Sequence, residues 1–264
     1  MAVQTLKLSE GRQATYEIVG KGRPALMLPG GPGFAAEYMR GDAELFSGVL
    51  QSYLIDPHGS GGSTPPPDPA EYSPEGHARF YEETRSALGL GRVVVFGHSF
   101  GSTTALTYSA LFPDSVQACI AVAPFGVGTE QDRAEGGDAA AETEAMMAAV
   151  LPLYTAHPER PEVWAELEEF KTHMKSDLVA AKAWEGGLFQ QIDLRPMLGQ
   201  VQAPVLLVAG ELDFICGPAQ ARPIAEALPS ATLALIPDCG HIPSVESPDH
   251  YRAAVTDWLA SRLD

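Results

Sequence analysis

A serine set between two glycines at the end of an apolar run is the first chemistry this sequence offers. Val93-Val94-Val95-Phe96 leads directly into Gly97-His98-Ser99-Phe100-Gly101-Ser102, and a helical pattern over 103–112 follows. Strand, Gly-x-Ser-x-Gly and helix in that order make a turn so tight that the serine backbone is strained and its hydroxyl stands above the sheet edge. Gly97 and Gly101 leave room for neighbouring chain. The helix N-terminus favours negative charge developing beside the serine. The five-residue pattern alone also fits a plain glycine-serine turn, so its place between a strand and a helix is what gives Ser99 the part of nucleophile.

A hydroxyl attacks poorly without a base, and the base needs an acid to fix its tautomer. His241 lies in Asp238-Cys239-Gly240-His241-Ile242-Pro243, after the last apolar run and before the final helix, at the strand end where Ser99 emerges. His58 is a rival from another loop. His98 adjoins the serine, but a neighbour on a sharp turn points elsewhere. For the acid, Asp213 closes Ala209-Gly210-Glu211-Leu212-Asp213 after another apolar run, one helix and one strand before His241. Glu211 sits too near the strand end to reach round, and Asp238 shares the histidine's own loop. Developing oxyanion charge also requires donors. Leu28-Pro29-Gly30-Gly31-Pro32-Gly33 follows an early apolar run and can bring backbone N–H groups beside Ser99, with Gly31 and Phe100 as the pair. A phosphate cradle is the other use of such a loop, but no Lys-Ser/Thr follows it and Gly-x-Gly-x-x-Gly is absent.

These loops need a scaffold that aligns strand ends. Thr5 to Leu8 and Arg12 to Val19 read as a hairpin turned by Ser9-Glu10-Gly11. Six short apolar runs follow, at 25–28, 53–55, 93–96, 118–122, 205–208 and 233–236, each of the kind a buried parallel sheet requires. Ser73-Pro74 starts a helix carrying Phe80, Tyr81, Thr84 and Leu88 inward. Ser247-Pro248 starts another, with Tyr251, Ala254, Val255, Trp258 and Leu259 on one stripe. Alternating strand and helix predicts an α/β fold with a mostly parallel central sheet flanked by helices. From about 125 to 197 no strand pattern appears, only Ala/Glu/Met-rich helical sequence. The expected organisation is therefore a core over 1–124 and 198–264, with a helical lid over 125–197 inserted before the acid-bearing strand. Met146, Met147, Leu151, Tyr154, Trp164 and Phe189 would pack its helices or line an apolar acyl pocket.

Composition narrows the partners. Acidic residues outnumber basic ones 34 to 17, a net charge of −17. A surface that negative repels phosphate backbones and anionic lipid heads, which disfavours nucleic acid and membrane as partners. No apolar run approaches the roughly 20 residues of a bilayer span, and the first residues lack a secretory apolar stretch. Three cysteines without metal-ligand spacing fit a reducing compartment, so a cytoplasmic setting is expected.

The whole chain resembles the α/β-hydrolase superfamily, whose triad runs in the order Ser, Asp, His. Within it, the chain is similar to the proline iminopeptidases. Their His-Gly-Gly-Pro-Gly corresponds to Pro29-Gly30-Gly31-Pro32-Gly33, and their Asp-Gln-Arg-Gly-x-Gly-x-Ser to Asp56-Pro57-His58-Gly59-Ser60-Gly61-Gly62-Ser63. Their Gly-Gly-Ser-Trp-Gly-Ser-Thr corresponds to Gly97-His98-Ser99-Phe100-Gly101-Ser102-Thr103. The resemblance implies a lid with glutamates for the substrate's free amine, which makes Glu185 in Ala183-Trp184-Glu185-Gly186, with Gly30, a substrate-binding residue; on its own, Glu185 is equally a solvated helix-end glutamate. Pro29, Pro57-His58 and Phe100 depart from the family, and the chain after Glu185 is too short for a second amine-binding glutamate. The expectation is a serine hydrolase with catalytic Ser99, His241 and Asp213, needing no metal or organic cofactor, acting on a small molecule or short peptide. Proline iminopeptidase-like cleavage leads, and carboxylesterase or lactonase activity is the alternative. Dehalogenase chemistry would need an aspartate at the turn. A non-catalytic ligand-binding protein with this fold is the reading of another class.

Overall fold

A computed structural model describes residues 2–31, 33–127, 151–173 and 189–263. Eight strands form one sheet: β1 Gln4–Lys7, β2 Gln13–Gly20, β3 Arg23–Leu28, β4 Leu50–Ile55, β5 Val93–His98, β6 Val116–Val122, β7 Val205–Gly210 and β8 Ala231–Ile236. Their order is β1-β2-β4-β3-β5-β6-β7-β8. Only the pairings of β2, with β1 and with β4, are antiparallel. From β4 to β8 the strands run parallel. The expected hairpin and apolar runs all fall in this sheet. One difference concerns β8. Its run is apolar, yet only Ile236 is buried, because the strand lies at the sheet edge, where one flank is uncovered.

The described helices are α1 Arg40–Leu45, α2 Pro74–Ala87, α3 Phe100–Leu111, α4 Pro161–His173, α5 Arg195–Leu198, α6 Pro218–Ala227, α7 Pro243–Glu246 and α8 Pro248–Leu263. The Ser73 side chain caps α2 by accepting from Gly76 N–H, as Ser before Pro predicts. Phe80 and Tyr81 of α2, Leu106 of α3 and Ile224 of α6 pack one sheet face. The other face is covered by Ala43 of α1 and by Tyr251, Val255, Trp258 and Leu259 of α8. Both faces being covered, β5 is buried at every residue, which is why its sequence is a continuous apolar run and not an alternation. Residues 93–98 of β5 and 100–110 of α3 are thus buried without a break apart from Ser99 between them.

Within the expected lid region, the described residues form short 3-10 turns at Leu151–Tyr154 and Phe189–Gln191, then α4 and α5. A single bridge pairs Val127 with Asp193. Helix α4 matches the pattern read over 162–174. It buries Val163 and Leu167, but Trp164 is 43% exposed. Met146, Met147, Glu185 and most of 139–154 lie outside the described residues. Among the described residues, no helix is long and apolar enough to cross a membrane.

Candidate active site

Ser99 occupies the turn between β5 and α3 with φ 53° and ψ −121°. This left-handed backbone is one that a residue with a Cβ adopts at a cost. Tertiary contacts hold it there. Ser99 N–H donates to Val122 O at 2.9 Å, and Ser102 returns both its N–H (2.8 Å) and its hydroxyl (2.6 Å) to Ser99 O. The flanking glycines are sterically required. A Cβ at Gly97 would collide with Gly101 O, and one at Gly101 with the carbonyls of Leu28 and Pro29. The serine turn therefore lies directly against the glycine loop after β3.

That loop is built for close approach as well. Gly31 has φ 58°, and a Cβ there would strike the Phe34 ring; a Cβ on Gly30 would lie 3.1 Å from Ser99 Cβ. Beyond the loop, Ala36 N–H donates to Asp56 Oδ1 at 2.9 Å, and Asp56 Oδ2 accepts from Thr15 Oγ1 at 2.6 Å. Asp56, the residue after β4, thus fixes where the loop ends. Pro29, Gly31, Phe100 and Gly101 line one small cavity together with Pro57 and His77.

The ends of β7 and β8 supply the other two groups. His241 Nδ1 lies 2.9 Å from Asp213 Oδ2, and both side chains are buried. Asp213 Oδ1 accepts from Ile215 N–H at 2.8 Å and Cys216 N–H at 3.0 Å. Burial works to raise this carboxyl, but the bonds from His241 and from those two N–H groups outweigh it and hold it below its ordinary pKa. A carboxylate at Nδ1 makes that nitrogen the donor and leaves Nε2 as the basic one. The rivals are elsewhere. Glu211 is exposed, and Asp238 pairs with Arg160 at 2.7 Å. His58 is buried against Tyr72, His77 and Phe80, and burial pushes its pKa down to about 4.

Three further residues touch this site that the motifs do not mark. His98, next to Ser99 in the chain, is not idle. Its Nε2 donates to His241 O at 2.8 Å, and its Nδ1 meets Tyr38 OH at 2.6 Å. Since a carbonyl only accepts, Nδ1 takes the proton of Tyr38. Burial, with His241 nearby, pushes the His98 pKa to about 3, so this ring is neutral. Tyr154 packs edge-on against the His241 ring at 5.0 Å, the same spacing and geometry as the His98 ring. Glu246 reaches back to the backbone around His241. Pro243 marks a helix start one turn before Glu246, and that is the only local sign of the contact. Phe170 of α4 packs on Tyr38 at 5.0 Å, so α4 rests over the same strand ends. Glu185 lies outside the described residues.

The sequence matches the family described as alpha/beta hydrolase fold over residues 24–248. It is 28% identical over 280 residues to a proline iminopeptidase of Levilactobacillus brevis, covering 94% of this chain and 93% of that one. Among solved structures, it is similar to an alpha/beta fold family hydrolase from Bacillus anthracis str. Sterne, with a TM-score of 0.82 and 20% identity, covering 97% of this chain and 98% of that one. It is also similar to the enol-lactonase from Burkholderia xenovorans LB400, with a TM-score of 0.79 and 21% identity, covering 97% and 100% respectively.

Proposed function

The chain belongs to the alpha/beta hydrolase fold family and is a hydrolase, and from that premise we propose that it cleaves a small ester or amide by two-step acyl transfer on Ser99. His241 Nε2 removes the serine proton as Oγ attacks the substrate carbonyl, and Asp213 stabilises the imidazolium that results. Backbone N–H groups of Gly31 and Phe100 receive the tetrahedral oxyanion. His241 then protonates the leaving group, and a water activated by the same nitrogen releases the acyl group. The observation that carries this reading is the buried Asp213–His241 pair, 2.9 Å apart, on the strand ends that also carry the strained backbone of Ser99.

The preferred substrate is a short peptide or amide with N-terminal proline. Support comes from the relative in Levilactobacillus brevis and from the glycine, Asp56 and serine-turn motifs. Under this reading the segment over 125–197 is a cap, and Glu185 binds the amine. A second reading, carboxylesterase or lactonase, is favoured by Pro29, Pro57-His58 and Phe100, which depart from the iminopeptidase motifs, and by the likeness in fold to an enol-lactonase. A fluorophosphonate probe should label the protein, and Ser99→Ala should abolish the label; well-folded protein that takes no label would move the reading to a ligand-binding role. A panel of proline p-nitroanilide and p-nitrophenyl esters separates the two substrate classes. Glu185→Gln should raise KM for the anilide and leave the acetyl ester unchanged; an equal rise for both would remove Glu185 from amine recognition.

A further inference from the structure

Glu246 is a half-buried carboxylate that the reaction chemistry does not use. It ends the short helix α7, and its oxygens collect backbone N–H groups from two separate parts of the chain. Oε2 accepts from Ala156 N–H at 2.6 Å and from Gly240 N–H at 3.0 Å, while Oε1 accepts from Ile242 N–H at 3.4 Å. Gly240 and Ile242 flank His241. The N–H of His241 itself donates to Tyr154 O at 2.7 Å. Three consecutive N–H groups, 240 to 242, are therefore held by one carboxylate and by the segment that this carboxylate also grips.

The approach is close enough to dictate a residue type. A Cβ on Gly240 would lie 2.7 Å from Ala156 N, 2.8 Å from Tyr154 O and 2.9 Å from Glu246 Oε1. Tyr154 lies edge-on to the His241 ring, and it packs with Val245 against the cluster of Leu167 of α4 and Ile242. At the surface, Asp238 joins the same two segments, pairing with His157 at 2.5 Å and Arg160 at 2.7 Å. An ionised acceptor shared by several N–H donors makes bonds about twice as strong as neutral ones. A neutral amide in its place would turn an NH2 group toward an N–H.

We propose that Glu246 is a positioning residue for the catalytic histidine: it clamps residues 154–156 onto the 240–242 loop, so that the inserted segment, together with the core, sets the imidazole between Asp213 and Ser99. This rests on the acyl-transfer reading given above. Burial, which outweighs its three N–H donors, raises the pKa of Glu246, as a carboxylate enclosed between two segments should show.

The test uses the full chain and the variants Glu246→Gln and Glu246→Asp, the second keeping the charge and losing the reach. For an ester substrate, kcat should fall about 100-fold in Glu246→Gln, the cost of a displacement near 1 Å at a catalytic group, with KM within about twofold. Fluorophosphonate labelling should slow in parallel. The proton resonance of His241 Nδ1 should shift or broaden, and hydrogen exchange should quicken at Ala156, Gly240 and Ile242 while the core β5 amides stay protected. Glu246→Asp should fall between the two, and it carries the test alone if Glu246→Gln does not fold. Wild-type rates and an unchanged Nδ1 resonance in the folded variants would overturn the positioning role alone. A wild-type protein that takes no label at Ser99 would overturn the acyl-transfer reading, and the positioning role with it.

Discussion

At Ser99 the backbone conformation and the chemistry pull in opposite directions. A φ of 53° with ψ of −121° is glycine territory, and a side chain there costs on the order of 1–3 kcal/mol. Ser99→Gly should therefore raise stability by about 1 kcal/mol in urea denaturation while removing hydrolysis. A Ser99→Gly protein no more stable than its parent would mean that the turn stores no strain. Ser99→Ala and His241→Ala should each lower kcat by on the order of 10⁴ to 10⁶. For Asp213→Asn the expected loss is on the order of 10⁴, because the histidine tautomer is no longer fixed even where its position is. Full activity in Asp213→Asn would exclude that acid. The neutral ring of His98 adds a second restraint on the same loop, through the His241 carbonyl.

Elements explain why the same substitution has opposite effects at different glycines. At Gly101, in the first turn of α3, a Cβ meets the carbonyls of Leu28 and Pro29; at Gly41, in α1, it meets nothing within 4 Å. Gly101→Ala must push α3 from the glycine loop, so it should cost about 1–3 kcal/mol and most of the activity. Gly41→Ala should gain about 0.5–1 kcal/mol from helix propensity with unchanged kcat, both readable from thermal melts and ester assays. The same contrast describes what the sequence makes legible. Strands, the serine turn, the Ser73 cap and the Asp213 and His241 loops are written locally, as apolar runs ended by Gly, Pro and polar residues. The Glu246–Ala156 and His98–His241 bonds join residues 90 and 143 positions apart, and no local pattern encodes them. The edge position of β8 and the exposure of Trp164 escape for a related reason: apolar composition states what could be buried, and the neighbours decide what is.

The molecule as a whole carries a net charge of −17, and Asp42, like Glu246, titrates against the usual trend of its acids. Asp42 of α1 accepts from Tyr251 OH of α8 at 2.7 Å, joining two helices on one face of the sheet. Burial raises its pKa to about 6, with the Tyr251 hydroxyl pulling the other way. As pH falls through about 6 the folded protein takes up a proton here, whereas the unfolded chain does so only near 4. Stability from this group is therefore full below pH 4 and lost as pH rises through 6. Asp213 has the opposite sign, since its lowered pKa makes a contribution present at neutral pH and lost on acidification. Glu82 acts likewise, because Arg85, Tyr108 and Ser115 outweigh its burial. Self-repulsion among the excess carboxylates adds to the alkaline penalty and is screened by salt. Asp42→Asn, which keeps an acceptor for Tyr251, should thus stabilise the protein by about 3 kcal/mol at pH 8, the equivalent of a shift near two units, and by nothing at pH 4. Urea denaturation at pH 4, 6 and 8 measures this directly. An equal gain at all three would place the effect in packing, because only the loss of a buried charge makes the gain grow with pH.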